Sequence, residues 1–370
     1  MIYLVCSYLL SPFIFFLSFC FRKKNKKNIL IIQTAKIGDF VSTTPIIKKL
    51  RLHFQNSKIS ILVHPNCSSI AENISDIDFV HTSPKRGYKG VWSKLKFFLK
   101  LFMRFDAVII LSPNLIYFLA TFWALIPIRI SVLSHKCSRS LKLASSFLTH
   151  TEWHIPGVRY QISALKALES LGIIFNEEEK INNYFPLANC DFKLKLPEKN
   201  QFLVGIGVSA GSKFKSFSFE QVIVLSSKLI AIKNLTIVLV GTSEDSAIAK
   251  KICESLPGDR VFDATGKVLL IELGTFMQNF NCFVGVDSGA TYIADAVGVP
   301  VIDIMGPASS ADQKPIGINA IVINSNEPCA PCSSTFYAPK SCHLNTLACI
   351  KKIDFDEIFE LIKKIILYKI

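Results

Sequence analysis

Charge is what this chain has least of. Charged residues make up 19% of its 370 residues and hydrophobic residues 50%. That balance argues against disorder, because enough apolar surface can be buried to offset the entropy of ordering the chain. Acids are the scarcer sign, with 28 Asp and Glu against 42 Lys and Arg, for a net charge of +14. No repeat of short period is visible, which argues against a repeat architecture. A secreted disulfide framework is also absent. The 11 cysteines are odd in number and scattered, with Cys6 and Cys20 in an apolar N-terminal run and Cys67, Cys137, Cys190, Cys253 and Cys282 isolated. A reducing cytoplasm suits that usage. Only Cys329, Cys332, Cys342 and Cys349 cluster, and the spacing of the later pair is not that of a zinc ribbon. Zinc and a packed, metal-free loop both remain open there.

A cleaved signal peptide is excluded by its missing parts. No basic residue precedes the apolar run Ile2 to Phe21, and no small-residue cleavage site follows it. The run is uncharged and as long as a bilayer-crossing helix, at ~1.5 Å of rise per residue. The basic knot after it, Arg22, Lys23, Lys24, Lys26 and Lys27, predicts by the positive-inside rule that the rest of the chain stays cytoplasmic. Residues 1–27 are therefore expected to be a membrane anchor, spanning or, with Pro12 inside it, interfacial.

A second basic stretch holds Lys85, Arg86, Lys89, Lys94, Lys96, Lys100 and Arg104. Between these lysines Val91, Trp92, Leu95, Phe98, Leu99 and Phe102 recur at helical spacing. Either this stripe faces a core beneath a solvated basic face, or the helix lies on anionic lipid. No nucleic-acid recognition motif accompanies the charge, so nucleic acid is not an expected partner.

Beyond the knot, apolar runs alternate with helical patterns, predicting two doubly wound α/β domains. Strands are expected at Asn28 to Ile32, Lys58 to Val63 and Ala107 to Leu111, with a buried helix over Leu115 to Ile128. A polar segment from Glu177 to Pro197 reads as a linker. The second half begins afresh with strands at Phe202 to Gly207, Leu235 to Val240, near Val261, Cys282 to Val286 and Val301 to Ile304. Asp354 to Lys369 is an amphipathic last helix, with acids first and lysines last, as the helix dipole prefers. The boundaries expected are 28–185 for the first domain, 198–350 for the second and 351–370 for the last helix.

Four turns carry the candidate chemistry. Asp287-Ser288-Gly289 joins a strand to a helix, a geometry that either caps the helix or binds a phosphate at its N-terminus. Thr34-Ala-Lys-Ile-Gly-Asp-Phe40 places Asp39 at the carboxyl end of the first strand, as a base for an attacking hydroxyl or as an N-cap. Gly205-Ile-Gly-Val-Ser-Ala-Gly211 is not a dinucleotide fingerprint, since its spacing is wrong and no acid follows at the expected strand end. Ser209, Ser212, Lys213 and Lys215 beside it suit phosphate oxygens or an ordinary solvated loop. In Val240-Gly-Thr-Ser-Glu-Asp245, Glu244 suits ribose hydroxyls or the dipole of the next helix.

Taken together, these motifs resemble glycosyltransferase family 9, the lipopolysaccharide heptosyltransferases, over residues 28 to 352. Thr34 to Pro45 is similar to the family's N-terminal motif, Ser209 to Phe217 to its Pro-Gly-Ala and Lys-Arg-Trp-Pro segment, and Asp287 to Tyr292 to Asp-Ser/Thr-Gly-x-x-His. Gly306-Pro307 and the late cysteines also fit the family's C-terminal portion. The resemblance implies a GT-B architecture, two Rossmann-like domains facing a cleft, with the last helix crossing back. It implies an inverting transfer in which Asp39 is the catalytic base and Lys215 meets the donor phosphates. Ser209, Glu244, Asp287, Ser288, Gly289 and Tyr292 complete the donor site, with no bound metal and no cofactor beyond the ADP-sugar donor itself. The expected acceptor is a lipid-linked saccharide, at the cytoplasmic face of the bacterial inner membrane. This chain departs from the family pattern at three places: Tyr292 stands for His, Phe217 for Trp and Ser218 for Pro. Tyrosine donates a hydrogen bond but carries no charge at neutral pH. That departure motivates a competing reading, a catalytically silent membrane-bound module that binds nucleotide-sugar or serves envelope assembly.

Overall fold

The computed structural model describes residues 2–20, 27–176, 179–189, 194, 196, 202–257 and 259–368. Arg22, Lys23, Lys24 and Lys26 of the basic knot, Cys190, most of the later linker and the side chain of Lys213 lie outside the described residues. Two compact units result, Met1–Lys180 and Ile181–Ile370.

The first unit is built on β1 (Asn28–Gln33), β2 (Lys58–Val63), β3 (Phe79–Thr82), β4 (Ala107–Ile110), β5 (Ile128–Ser134) and β6 (His150–His154). They form one sheet in the order β3-β2-β1-β4-β5-β6, and every pairing is parallel. Ile29 of β1 sits level with Ile59 of β2 and Ala107 of β4, so unbroken apolar runs meet in the middle. Strands buried on both faces require that composition, which is why the central ones were legible as short hydrophobic runs. The second unit repeats the plan with β7 (Phe202–Gly207), β8 (Leu235–Val240), β9 (Val261–Asp263), β10 (Cys282–Val286), β11 (Val301–Met305) and β12 (Ala320–Asn324). Their order is β12-β11-β10-β7-β8-β9, again parallel. In each sheet the chain grows outward from its first strand, then returns to grow on the other side. The order therefore reverses between β1 and β4, and between β7 and β10. Ligands of open α/β sheets bind at the carboxyl ends of the strands flanking such a reversal.

Several local expectations shift. Residues 37–39 of the Thr34 to Phe40 turn open the Ile37–Ser42 helix, and a second helix follows at Thr44–His53. The apolar segment from Leu115 is helical only to Trp123, and Leu125 takes a positive φ of 58° before Ile128 starts β5. The first part of the expected linker packs on the second unit: Asn183 Nδ2 donates to Asp295 at 3.3 Å, and Phe185 is buried. The last helix, Phe355–Tyr368, packs through Ile358 and Ile362 on the Phe219–Ile230 helix of the same unit. The N-terminal helix, Ile2–Cys20, is long and apolar enough to cross a membrane by length and composition. One side of it nevertheless lies on the first unit, with Leu4 and Ile14 in a core cluster with Phe118, Phe122 and Phe147.

The glycines of the Gly205-x-Gly stretch serve packing. A Cβ on Gly205 would meet Phe280 Cδ2 at 2.6 Å and Phe283 Cδ2 at 2.7 Å. Two aromatic rings thus approach β7 closely only because the strand has no side chain there. Gly205→Ala is expected to destabilise the protein by about 1–3 kcal/mol, as overpacked core sites do. A urea titration measures this, and an unchanged midpoint would show that the rings move aside freely.

Candidate functional site

In the second unit, the site forms where β7 and β10 part. Lys215 lies on the short turn of 3₁₀ helix Lys213–Lys215 after β7, and Asp287 directly follows β10. Lys215 Nζ is 2.5 Å from Asp287 Oδ2, and the two side chains are only 13% and 6% exposed. The other carboxylate oxygen, Oδ1, accepts from Gln313 Nε2 at 3.3 Å and from the Tyr292 hydroxyl at 3.4 Å. Gln313 is itself oriented, its Oε1 accepting from Thr335 Oγ1 at 3.2 Å. Asp287 is therefore committed to these side chains and not to the helix behind it.

That helix, Gly289–Ala296, has Ser288 at its N-cap position, and the Ser288 side chain does not cap it. Ser288 Oγ pairs instead with Thr291 Oγ1 at 3.2 Å. The simple capping reading of the Asp-Ser-Gly turn is thus not what the side chains do. An uncapped helix N-terminus beside an ammonium group has the chemistry of an anion site.

Ser209 and Glu244 lie on neighbouring turns, after β7 and β8. Ser209 Oγ donates to Asp245 Oδ2 at 2.8 Å, and the same oxygen accepts from Thr242 N at 2.7 Å. Asp245, which sequence reasoning passed over, takes the capping role, leaving Glu244 exposed on the turn. Gly241 makes room for this, since a Cβ there would meet Asp245 Oδ2 at 2.8 Å. The two remaining departures from the family pattern are also absorbed. Phe217 is buried edge-on to Phe355, their ring centroids 5.5 Å apart. Ser218 caps the Phe219–Ile230 helix in a reciprocal box with Gln221, at 3.2 Å and 2.9 Å.

The first unit has its own cluster where β1 and β4 part. Asp39 is half-buried in the first turn of the Ile37–Ser42 helix, whose N-cap position is Lys36, so Asp39 is not the N-cap. Its neighbourhood is apolar enough to disfavour other anions. Burial pushes the Cys67 thiol up to about 12, and the Asp39 charge adds to the shift. Tyr160 is raised in the same way, by burial first and then by Asp39, and its hydroxyl donates to Leu111 O at 2.6 Å. A separate hydroxyl cluster lies at the ends of β1 and β4, where Thr34 Oγ1 is 3.1 Å from Ser112 Oγ and accepts from the Tyr117 hydroxyl at 3.1 Å. A half-buried carboxylate at the end of β1 can accept a proton from an alcohol.

The four late cysteines do come together. Burial, then the nearby Cys332, Cys329 and Cys342, pushes the Cys349 thiol up to about 11. Cys342 is lowered, chiefly by the Leu347 N–H and by further backbone donors. Among the described residues no group of three or more His, Cys, Asp or Glu side chains is placed to hold a metal ion.

Besides Asp245, three residues of the second-unit site escaped sequence reasoning. Gln313 and Thr335 sit in irregular segments with no motif around them. Asp303 was hidden inside the apolar run of β11. It is fully buried, and neither carboxyl oxygen has a partner among the described residues. Burial raises its pKa well above the ordinary carboxylate range, and the charges of Asp287 and Asp295 raise it further against the pull of Lys215. A carboxyl with a raised folded-state pKa contributes stability below its unfolded value, and loses it as pH climbs toward the folded one. Asp303→Asn cannot ionise. It should match the parent near pH 4 and pull ahead as pH rises, by at most about 1.4 kcal/mol per pH unit. Denaturation at several pH values measures the gap, and a constant gap would contradict the neutral assignment.

Comparison with known proteins bears on the family and the fold. The chain is 25% identical over 295 residues to lipopolysaccharide heptosyltransferase 3 of Escherichia coli (strain K12), covering 77% of this chain and 84% of that one. A glycosyltransferase family 9 structure from Veillonella parvula superposes with a TM-score of 0.73 at 18% identity, covering 94% of this chain and 99% of that one. The E. coli ADP-heptose lipopolysaccharide heptosyltransferase II superposes at 0.68 with 15% identity, covering 92% and 99%. These likenesses show the fold, two Rossmann-like units of GT-B type. The family model described as glycosyltransferase family 9 (heptosyltransferase) matches residues 101–341, and the chain belongs to that family.

Proposed function

We propose that this protein is an inverting glycosyltransferase that moves heptose from ADP-heptose to a lipid-linked core saccharide of lipopolysaccharide. It would act at the cytoplasmic face of the inner membrane. The observation that carries the reading is the Lys215–Asp287 pair beside an uncapped helix N-terminus, at the reversal of strand order. A donor diphosphate needs positive charge and N–H donors on one side, and this corner of the second unit offers both. Family membership and the relatives named for heptose transfer support the choice of sugar.

In this mechanism Asp39 takes the proton from an acceptor hydroxyl. The oxygen's freed electron pair attacks the anomeric carbon from the face opposite the diphosphate. The new glycosidic bond forms as the bond from that carbon to the phosphate oxygen breaks, and the electrons leave with ADP. Lys215 and the N–H groups following Ser288 stabilise the charge that develops on the departing diphosphate. Tyr292 orients Asp287, which in turn holds Lys215, so the uncharged tyrosine acts through the ion pair. In the same reading Glu244 would meet the ribose hydroxyls and Ser209 the diphosphate oxygens. The positive charge comes from the protein, so the proposed reaction uses no metal.

ADP release, measured with purified protein, a panel of nucleotide sugars and core-oligosaccharide acceptor, tests the reading. ADP-heptose is expected to turn over, with EDTA making no difference. Asp39→Asn should lower kcat by about 10²–10⁴-fold, the usual worth of a positioned base, while ADP still binds. Lys215→Ala should lose about 10²–10³ in kcat, as removal of a group that stabilises transition-state charge does. Full turnover in Asp39→Asn would remove the base assignment. Tight ADP binding without turnover of any donor would make the protein a silent nucleotide-sugar-binding module.

A further inference from the structure

The N-terminal helix has two unlike faces. Ser7 and Ser18 are buried against the first unit together with Leu4 and Ile14, which makes one stripe at helical spacing. Ser7 Oγ accepts from Trp123 Nε1 at 2.8 Å, and the Tyr8 hydroxyl donates to Leu143 O at 2.6 Å. Where Pro12 leaves the Tyr8 carbonyl without its helical N–H, Ser11 Oγ donates to that oxygen at 2.8 Å. The docked face also covers Arg129. That side chain is fully buried, its Nε donates to Phe147 O at 2.6 Å, and its guanidinium carbon lies 5.7 Å from the Phe15 ring centroid. Lifting the helix away would open this buried cation and leave the Trp123 N–H without its acceptor.

The opposite face is apolar and uncovered. Leu9, Phe13, Phe16 and Phe19 are 76%, 62%, 64% and 73% exposed. The Gly90–Leu101 helix lies alongside, with Lys94 Nζ 4.8 Å from the Tyr3 ring centroid. It buries Phe97 and Leu101 and turns Trp92 outward at 76% exposure. Thr82, Ser93, Lys96 and Lys100 line a surface pocket beside Trp92. No acidic residue precedes Asp39, and none stands between Asp78 and Asp106. Apolar side chains carried on stretches rich in lysine and arginine match the headgroups and acyl boundary of an anionic bilayer.

We infer that the Ile2–Cys20 helix stays docked on its unit and enters one leaflet side-on, forming with the Trp92 helix a single monotopic surface for anionic lipid. This deepens the membrane reading proposed above and replaces a spanning anchor with an in-plane one. Both ends of the helix then stay on the cytoplasmic side, and the first unit keeps a fixed tilt to the membrane.

Two measurements on the full chain, made without donor or acceptor, test this independently of turnover. In flotation, the protein should rise with vesicles containing phosphatidylglycerol and bind pure phosphatidylcholine more weakly. Leu9→Asp with Phe16→Asp should weaken vesicle binding by about tenfold or more, since both positions are exposed and the helix still docks. Unchanged flotation in that variant, or a loss of self-association in its place, would overturn the lipid assignment in favour of a second copy. An N-terminal epitope tag in inverted inner-membrane vesicles should be cut by added protease. A tag protected until detergent is added would show that the helix spans.

Discussion

A lysine ammonium and an aspartate carboxylate, both almost closed off from water, meet where β7 and β10 part. Withdrawing two such charges from water is costly, and their mutual attraction offsets the cost only with good geometry and further hydrogen bonds. Those bonds are present, because Gln313 and Tyr292 occupy the second carboxylate oxygen and Thr335 fixes Gln313. Burial, and after it the nearby Asp287 and Asp295, push the Asp303 carboxyl toward its neutral form. The pair also fixes where Lys215 can reach. In the proposed reaction an arriving diphosphate would find an ammonium group already in position, with most of its desolvation completed on folding.

The departures from the family's signature read differently once their contacts are visible. Tyr292 is buried and donates to Asp287, so it serves the ion pair. Phe217 joins the core that the last helix completes, and Ser218 supplies a helix cap where the pattern has proline, the residue suited to a first helical turn. None of the three leaves a buried group stranded. Within the second unit, ammonium, carboxylate and uncapped helix N-terminus remain together, which speaks against the silent-module reading.

The sequence carried most of the fold wherever strands are buried on both faces. β1, β7, β8, β10 and β11 are short apolar runs followed by polar turns, and the turns hold the chemistry. The edge strands of the first sheet were not legible: β3 and β6 are mostly polar or partly exposed, and their strand character comes from a neighbour's hydrogen bonds. At the site, Asp287, Ser288, Lys215 and Asp39 stood out because strand–turn–helix patterns point at them. Gln313 and Asp303 did not, because tertiary contact alone makes them relevant. The N-terminal helix shows the limit of composition. Its apolar run reads as a span, and only the placement of Ser7, Ser11 and Ser18 on one side hints at a protein partner. Trp123 and Arg129, which those serines approach, are more than a hundred residues away along the chain.

The central claim is that the nucleotide's diphosphate sits on the Lys215 corner of the second unit. A crystal structure with ADP bound tests it most directly. The account predicts diphosphate oxygens within hydrogen-bonding distance of Lys215 Nζ and of the first N–H groups of the Gly289–Ala296 helix. ADP seated elsewhere, with the Lys215–Asp287 pair untouched and that helix N-terminus open to water, would contradict it.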